Sequence, residues 1–456
     1  MMPHANKILW ILIILTSVFQ VQVHGQKFTI EQCISYTLEN NIAIINKDLE
    51  DQLNLEEFKQ SKRNLLPVVD AGMSNNVLFG KSIDPTTNDF VSERLFSTNF
   101  YLGAEIDVFK GLTKKNNIEF NRIKLLISHE EVANGKIETT FAVMNAFYNV
   151  LYYRELLTIT KEQVQISEKN LRKAQIMVKT GLKPATEILE MDAQMAGETY
   201  NQLQVENFLA NAMLELKNIM FYPINQEIEV VSDLSFPISK KPLVNAMGIY
   251  EEALNIMPST KIAAMNVEAQ TKQLKMARGQ LSPSIVLGGG YSTYYADSRK
   301  ESIDEANPDI LRTIAFNEQL NQNASQSIYL GIRLPIFRKW FRMSQIQQEK
   351  VRLQMSVNTK EDTDRQLYKQ ITSDIQALNG YLGEIEQLEK KCDAEKSAID
   401  ISQKKLERGI ISIIEYYTAK NTLARTQSDL LKAKTLFKIK EQTIAIYTGN
   451  ILSESK

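Results

Sequence analysis

Two related stretches occur in the two halves of the chain: NFYLGAEIDV at residues 99–108 and SIYLGIRLPI at residues 327–336. In both, apolar residues alternate with polar or small ones, which is the period of a half-buried β-strand. Two less regular stretches of the same kind, at residues 69–73 and 285–291, directly follow Pro67 and Pro283. The sequence therefore predicts four strands, two in each half.

Very long helices are predicted on the carboxyl side of each strand pair. Residues 112–179 and 340–408 contain no proline, and apolar residues recur in them at helical spacing, as at Ile137, Phe141 and Met144. At 1.5 Å per residue each helix would be about 100 Å long and would need a coiled-coil-like neighbour along its length. Shorter helices are predicted at about residues 30–65, 185–221, 244–280 and 413–447.

The chain is an internal duplication. Leu38 and Pro67 match Leu254 and Pro283 at one constant spacing, whereas Gly181 matches Gly409 at a slightly longer one. The difference falls in a predicted polar loop at residues 297–323, which corresponds to a shorter loop at 80–90. We predict a first repeat at 26–242, a second at 243–450 and a tail at 451–456, each repeat reading helix, strand, loop, strand, long helix, turn, helix.

Residues 1–25 are typical of a secretory signal peptide. Lys7 supplies the positive charge, residues 8–18 are apolar, and residues 23–25 resemble a cleavage pattern. The apolar run is about 11 residues, short of the roughly 20 that a membrane-spanning helix needs. No later stretch approaches 18 consecutive apolar residues, so a membrane location would require a β-barrel.

Composition and residue types argue against two classes of function. The 53 Lys and Arg against 54 Asp and Glu leave a net charge of −1, without the basic excess that nucleic acids attract. After residue 25 the only histidine is His129, and Cys33 and Cys392 have no neighbouring ligand. Gly288–Gly290 lie inside a predicted strand and do not open a helix. We expect no enzyme, no cofactor and no metal site.

Four strands are too few to close a membrane barrel by themselves. The smallest bacterial membrane barrels have about eight strands, and open edges are not tolerated in lipid. The alternation also fits an ordinary soluble sheet with one packed face. The export signal and the long hydrophilic helices favour a barrel pooled from several copies of the chain.

The order of these features resembles the TolC family of outer-membrane efflux proteins over nearly all of the mature chain. The motifs that carry the resemblance are Glu31-Gln32 to Asn40-Asn41, Leu65 to Pro67, Leu330 to Phe337, and the turns at Gly181 and Gly409. Two departures concern element boundaries. Asp107 stands where the second repeat has Pro335, and residues 220–223 lack the glycine often found at that helix end.

The resemblance implies a mainly α protein with a membrane β part. Its fold would be a TolC-like homotrimer, with four strands from each chain forming a 12-stranded barrel that continues into a long periplasmic α-helical barrel. The function implied is a passive outer-membrane exit duct for efflux or type I secretion, joined to an inner-membrane transporter by a periplasmic adaptor. The alternative is a periplasmic coiled-coil scaffold or adaptor without a barrel. The exported substrate, whether drug, metal ion or polypeptide, stays open.

Two helical-hairpin turns are candidate contact sites. The resemblance implies that the adaptor docks on these tips, whereas capping alone requires no more than a plain turn. Glycine suits the left-handed position after a helix, Pro184 suits the first helical position, and Ser412 with Glu415 has capping-box spacing. The candidate tip residues are Gly181, Leu182, Lys183, Gly409, Ile410 and Ile411.

A candidate periplasmic gate precedes the second turn. Asp393 and Asp400 are seven residues apart and share one face of the long helix. If that face lines the lumen of a trimer, each becomes a ring of three carboxylates that favours cations. The resemblance places an acidic constriction near this tip, and Asp400 is the better match. A solvated charged face is the simpler interpretation.

Overall fold

A computed structural model describes residues 26–83, 90–91, 94–231, 245–303, 307 and 311–449. The predicted signal peptide and carboxyl-terminal tail lie outside these residues. The described helices are α1 (Ile30–Asn40), α2 (Ile42–Arg63), α3 (Thr113–Lys179), α4 (Thr186–Met220), α5 (Ala246–Ile256), α6 (Pro258–Gly279), α7 (Phe316–Gln322), α8 (Phe341–Glu407) and α9 (Ile413–Tyr447). The described strands are β1 (Gln26–Phe28), β2 (Val68–Leu78), β3 (Ser82–Ile83), β4 (Phe90–Val91), β5 (Leu95–Lys110), β6 (Ile228–Val230), β7 (Ser284–Ala296), β8 (Lys300–Ser302), β9 (Leu311–Thr313) and β10 (Ser325–Arg333).

The two predicted long helices are confirmed, and each has 67 residues. The absence of proline and the continuous helical periodicity explain why neither is interrupted. Among the described residues, every helix is too short or too polar to serve as a membrane span.

Two of the shorter helices were wrongly predicted as continuous. The first breaks at Asn41, whose backbone is extended and whose Oδ1 accepts the Ala43 N–H at 2.8 Å. The second breaks at Met257, because the following Pro258 disfavours helical backbone at the residue before it. Asn41 and Met257 have the same spacing as the matched Leu38 and Leu254, as the duplication requires.

Helix α4 ends without a glycine. Phe221 adopts the left-handed conformation, with φ at 54°, and the Tyr222 N–H donates to the Lys217 carbonyl at 2.9 Å. A bulky side chain therefore occupies the backbone position that glycine usually takes after a helix.

Four strands, two from each repeat, form one antiparallel sheet in the order β10-β7-β5-β2. Ala71 pairs with Leu102, which pairs on its other side with Tyr291. Strand β10 ends at Arg333, so the predicted extension to residue 336 was wrong. Pro335 has no N–H for a sheet ladder, which explains the earlier end.

Both predicted loops contain short regular elements. Strands β3 and β4 pair in the first, whose residues 84–89 lie outside the described part of the chain. In the second, β8 pairs with β9 and helix α7 follows. Gln319 on α7 is buried and holds the loop to the end of β7 by bonds between its side chain and both backbone groups of Ala296, at 3.0 Å each.

The chain divides into two compact units that do not coincide with the repeats. The helical unit comprises the described residues of Met1–Leu49, Glu130–Lys261 and Asp362–Lys456, and the sheet unit those of Glu50–His129 and Ile262–Glu361. The predicted repeat boundary at 242–243 lies outside the described residues and stays a prediction.

Duplication is visible in the packing of the helical unit. One core joins α1, α3 and α4 through buried residues that include Cys33, Phe147 and Leu216. A second joins α5, α8 and α9 with α3. In this second core, Ile249, Ile375 and Ile444 occupy the positions that match Cys33, Phe147 and Leu216 of the first. Since equivalent residues are buried in both cores, the two repeats fold by the same apolar pattern.

Hairpin tips and acidic face of the helical unit

The first hairpin turn is built by a Schellman motif at the end of α3. Gly181 lies at φ +75°, its N–H donates to the Val178 carbonyl at 3.0 Å, and the Leu182 N–H reaches back to the Met177 carbonyl at 2.8 Å. A Cβ on Gly181 would meet open space, so the glycine is needed for its backbone conformation alone.

The second turn repeats this geometry at the end of α8. Gly409 lies at φ +70°, and the Ile410 N–H donates to the Lys405 carbonyl at 2.9 Å. The Ser412 half of the predicted capping box is confirmed, since the Ser412 hydroxyl accepts the Glu415 N–H at 3.2 Å. Pro184 was wrongly placed at the first helical position of the other hairpin, because α4 begins at Thr186.

The predicted tip residues differ in exposure. Leu182 is 72% exposed and Ile410 is 64% exposed, although both are apolar. Lys183 is instead paired with Glu187 at 2.6 Å. Ile411 is partly buried against the local core, and its role as a contact residue stays a prediction.

Further exposed apolar residues surround the tips. Periodicity alone did not single them out, because apolar residues on a long helix are ordinarily buried. They are Ile176, Leu189, Ile401 and Ile414.

A cavity of about 300 Å³ lies where α3, α4 and α8 meet near the first tip. Met177, Met191 and Leu406 supply much of its apolar wall. At its rim, Lys173 on α3 pairs with Glu407 on α8 at 3.1 Å. An apolar recess with a charged rim therefore accompanies the exposed tip residues.

A buried lysine connects three helices below the tips. Lys420 on α9 is 2% exposed, and its Nζ lies 3.0 Å from Glu198 Oε1 on α4 and 2.7 Å from Ser167 Oγ on α3. It also donates to the Gln163 carbonyl at 2.7 Å. Burial lowers the pKa of Lys420, while the Glu198 carboxylate opposes that shift.

A second buried charge occurs at the other end of α9. Asp374 on α8 is almost fully buried and accepts from Lys440 Nζ at 2.5 Å and from the Tyr447 hydroxyl at 2.8 Å. Neither network was predicted from the sequence. A charged residue at a helix position where the spacing predicts an apolar one could have indicated them. Lys420, between Tyr417 and Leu423, is such a residue.

The two predicted gate residues share an exposed face of α8. Asp393 and Asp400 are both exposed, and seven residues correspond to about 10 Å of rise on nearly the same side of the helix. The Asp393 carbonyl accepts the Ser397 hydroxyl at 3.0 Å. Their placement is compatible with a wall of carboxylates and equally with a solvated face.

Over the described part of the chain, no group of three or more His, Cys, Asp and Glu residues could hold a metal ion. Cys33 and Cys392 are both free and buried. Burial, with a smaller contribution from the Glu31 carboxylate, raises the pKa of the Cys33 thiol to about 12. His129 lies 3.5 Å from the Asp51 carboxylate, which gives it a structural partner.

The chain matches a known protein family along most of its length. The sequence model of the family described as outer membrane efflux protein matches residues 33–220 and again residues 249–450. The chain belongs to the outer membrane efflux protein family. The two matches correspond to the two repeats of helices and strands.

Curated and solved relatives of this efflux family agree with the assignment. The chain is 22% identical to outer membrane protein TolC of Salmonella enteritidis over 314 residues, or 67% of this chain. It spans 60% of the length of that relative, and 60% of TolC of Escherichia coli strain K12, to which it is also 22% identical.

Among solved structures, the chain resembles the CmeC outer membrane channel of Campylobacter jejuni, at a TM-score of 0.77 and 13% identity, over 94% of this chain and 87% of that one. It also resembles the open state of the MtrE outer membrane channel of Neisseria gonorrhoeae, at a TM-score of 0.75 and 15% identity, over 94% and 91% of the two chains. The predicted TolC-like fold, mainly α with a β part, is confirmed. This efflux protein is an outer-membrane protein, in a family of efflux proteins rather than of enzymes.

Proposed function

We propose that this efflux protein is one protomer of an outer-membrane exit duct in a tripartite efflux or type I secretion system. Three copies form the channel, which conducts passively and without catalysis. The helical part lies in the periplasm, where an adaptor joins it to an inner-membrane transporter that supplies the energy.

The observation that carries this proposal is the sheet with two open edges. Within the sheet unit, β2 and β10 each have a neighbour on one side only. Strand β10 is exposed along its length, with Ile328, Leu330 and Ile332 facing outward. Open, apolar edges are unstable in water and in lipid. Pairing β10 of one copy with β2 of the next removes them, and three copies close a barrel of twelve strands.

Edge pairing can be tested by disulfide trapping in a background with Cys33 and Cys392 replaced by alanine. Within one chain β2 and β10 are three strand spacings apart, or about 14 Å, beyond the roughly 7 Å that a disulfide can bridge. A cysteine at Ala71 combined in turn with one at Ile328, Leu330 or Ile332 can therefore bridge only between copies.

Oxidation of at least one pair should give covalent dimers and trimers in outer-membrane fractions. The control pair, Ala71 with Leu102, are register partners within one chain and should stay monomeric. If every edge pair also remains monomeric, the pooled barrel is wrong. A channel also requires that the purified trimer conducts in planar bilayers.

We further propose that the exposed apolar tips dock the adaptor. Leu182 and Ile410 occupy matching positions in the two hairpins, and neither position requires an apolar residue for capping. The cavity behind the first tip offers an apolar recess for a partner side chain. Exposed apolar groups at matching sites are typical of a protein interface.

Substitution of Leu182 and Ile410 by aspartate tests the docking proposal. Both side chains point to solvent, so the helices should fold, while a charge at an apolar interface should reduce export and adaptor cross-linking. Leu203→Asp, also exposed but in the middle of α4 and away from both tips, is the control for adding a charge to an exposed apolar position. Unchanged export and cross-linking in the Leu182 and Ile410 variants would reject this contact.

The acidic face of α8 is proposed as the periplasmic constriction. In a trimer with this face inward, Asp400 and Asp393 form two rings of three carboxylates, which attract cations into the lumen. The proposal rests on their shared exposed face and on their position shortly before the second tip.

A further inference from the structure

The passage from strand to long helix has the same unusual backbone in both repeats. Gly111 and Leu112 lie at φ 59° and 57°, and Lys339 and Trp340 lie at φ 46° and 58°. The two pairs have the same spacing along the chain as the matched tip glycines. Left-handed backbone is uncommon outside glycine. Two consecutive left-handed residues in both repeats therefore indicate a specific turn that connects the sheet to the long helix.

The two turns carry different charge. Residues 319–348 contain Arg333, Arg338, Lys339 and Arg342 and no acidic residue. The matching residues 91–120 contain four acidic and four basic residues. The second turn alone is therefore strongly basic.

Ion pairing reinforces this difference. In the first turn, Asp107 binds Lys110 Nζ at 3.2 Å and Lys114 Nζ at 3.1 Å. The position that matches Asp107 is Pro335, so the second turn lacks this counter-ion. Nη1 of Arg342 is buried with no hydrogen-bond partner within the described chain.

Close packing prevents the first turn from carrying a side chain where the second has lysine. A Cβ on Gly111 would lie 1.9 Å from the carbonyl oxygen of Gly279. The corresponding Lys339 is exposed. The lysine is thus possible only in the second repeat.

Apolar residues lead directly into this basic turn. Ile336 is 90% exposed, Trp340 is 69% exposed, and Phe337 is also exposed. Arg338 and Lys339 line an open cleft of about 500 Å³ together with Trp340. An apolar stripe followed by aromatic and basic side chains is the pattern of a membrane boundary, where rings lie at headgroup depth and cationic groups extend to phosphates.

We propose that Arg338, Lys339 and Trp340 form a binding site for the headgroup phosphate of an anionic phospholipid. This inference rests on the proposed function, because it requires the sheet to lie in the membrane. The cations bind the phosphate, Trp340 packs against the upper acyl chain and glycerol, and the turn holds all three side chains at the end of the membrane strands. Each trimer then has three such sites.

Trp340 itself can report on the site. The sequence contains two tryptophans, Trp10 and Trp340. Because Trp10 lies in the predicted signal peptide, Trp340 is the tryptophan of the predicted mature protein. That protein is reconstituted in phosphatidylcholine vesicles containing an equal fraction of either brominated phosphatidylglycerol or brominated phosphatidylcholine. Bromine quenches tryptophan at contact distance, so the two quenching curves give the relative affinity for each lipid.

With Arg338 and Lys339 in place, the protein should bind brominated phosphatidylglycerol in preference to brominated phosphatidylcholine. Each basic residue near an anionic surface increases the affinity for that surface about fivefold. The double variant Arg338→Gln with Lys339→Gln should therefore lose preference by about tenfold or more, while both lipids still quench Trp340. Lys110→Gln, at the position matching Arg338 but already paired with Asp107, should keep the preference.

Equal quenching by the two lipids in the wild type, or an unchanged preference in the double variant, overturns the lipid site. So does a lack of quenching by either lipid in vesicles where the protein conducts ions. If neither quenching nor conductance is found, the lipid site and the channel function are both rejected.

Discussion

Lys420 and Glu198 form a buried ion pair between α9 and α4, with Nζ 3.0 Å from Oε1 and 3.1 Å from Oε2. The two side chains are 2% and 8% exposed. Such a pair adds little net stability compared with apolar residues, but removing one partner leaves a buried charge. Because Lys420 also binds Ser167 on α3, the network determines which residues of the three helices lie at the same level.

Lys420→Met should lower the free energy of unfolding by about 3–5 kcal/mol, because Glu198 would be left charged and buried. The double variant Lys420→Met with Glu198→Leu should recover most of that loss. Denaturant unfolding followed by circular dichroism measures both. The control is Lys434→Met, which breaks the 2.7 Å pair with the partly exposed Glu389 and should cost about 1 kcal/mol or less. Equal losses in Lys420→Met and Lys434→Met would contradict this account.

Local features of the fold were predictable, whereas pairings between distant residues were not. Gly181 and Gly409 could be placed because a helix cap depends on a few adjacent residues. The break before Pro258 was missed although the proline was visible, since apolar periodicity continues across it. The partners Glu198 and Lys420 lie far apart in the sequence, and only packed helices show that they meet. The lumen face of Asp400 depends on other copies of the chain, so neither the sequence nor one protomer establishes it.

Alkaline pH should destabilise the helical unit through Tyr447. Burial, and then the hydrogen bond to Asp374, raises the pKa of its hydroxyl above the ordinary tyrosine value of about 10. The folded chain therefore keeps a proton that the unfolded chain loses, and stability present below about pH 10 is lost as the pH rises further. Each such proton corresponds to about 1.4 kcal/mol per pH unit.

Above about pH 10, the free energy of unfolding should fall less steeply with pH in Tyr447→Phe than in the wild type. Near neutral pH the two slopes should be equal. Denaturant unfolding at a series of pH values from about 8 to about 11 measures the two slopes. Identical slopes in the two proteins would show that Tyr447 is not responsible.

Gly181→Ala and Gly409→Ala should each destabilise the hairpins by about 1–2 kcal/mol, the cost of left-handed backbone for a residue with a Cβ. No clash contributes, since a Cβ would meet open space at both positions. Gly197→Ala is the matched control. Gly197 lies inside α4, also with open space, so alanine should stabilise that helix by about 1 kcal/mol. Thermal unfolding compares the three variants, and a loss of stability in all three or in none would exclude a conformational role for the tip glycines.

Asp400→Asn should reduce the preference of the reconstituted channel for cations, because each substitution removes three negative charges from one ring of the trimer. The permeability ratio of potassium to chloride in single-channel recordings is the measurement, made at low salt, where exposed carboxylates are least screened. Asp393→Asn should act in the same direction. The control is Asp192→Asn, an exposed aspartate on α4 in the other hairpin, which removes the same charge from a face not assigned to the lumen. If Asp400→Asn and Asp192→Asn alter the ratio equally, Asp400 contributes only general surface charge, and the constriction lies elsewhere on the helices.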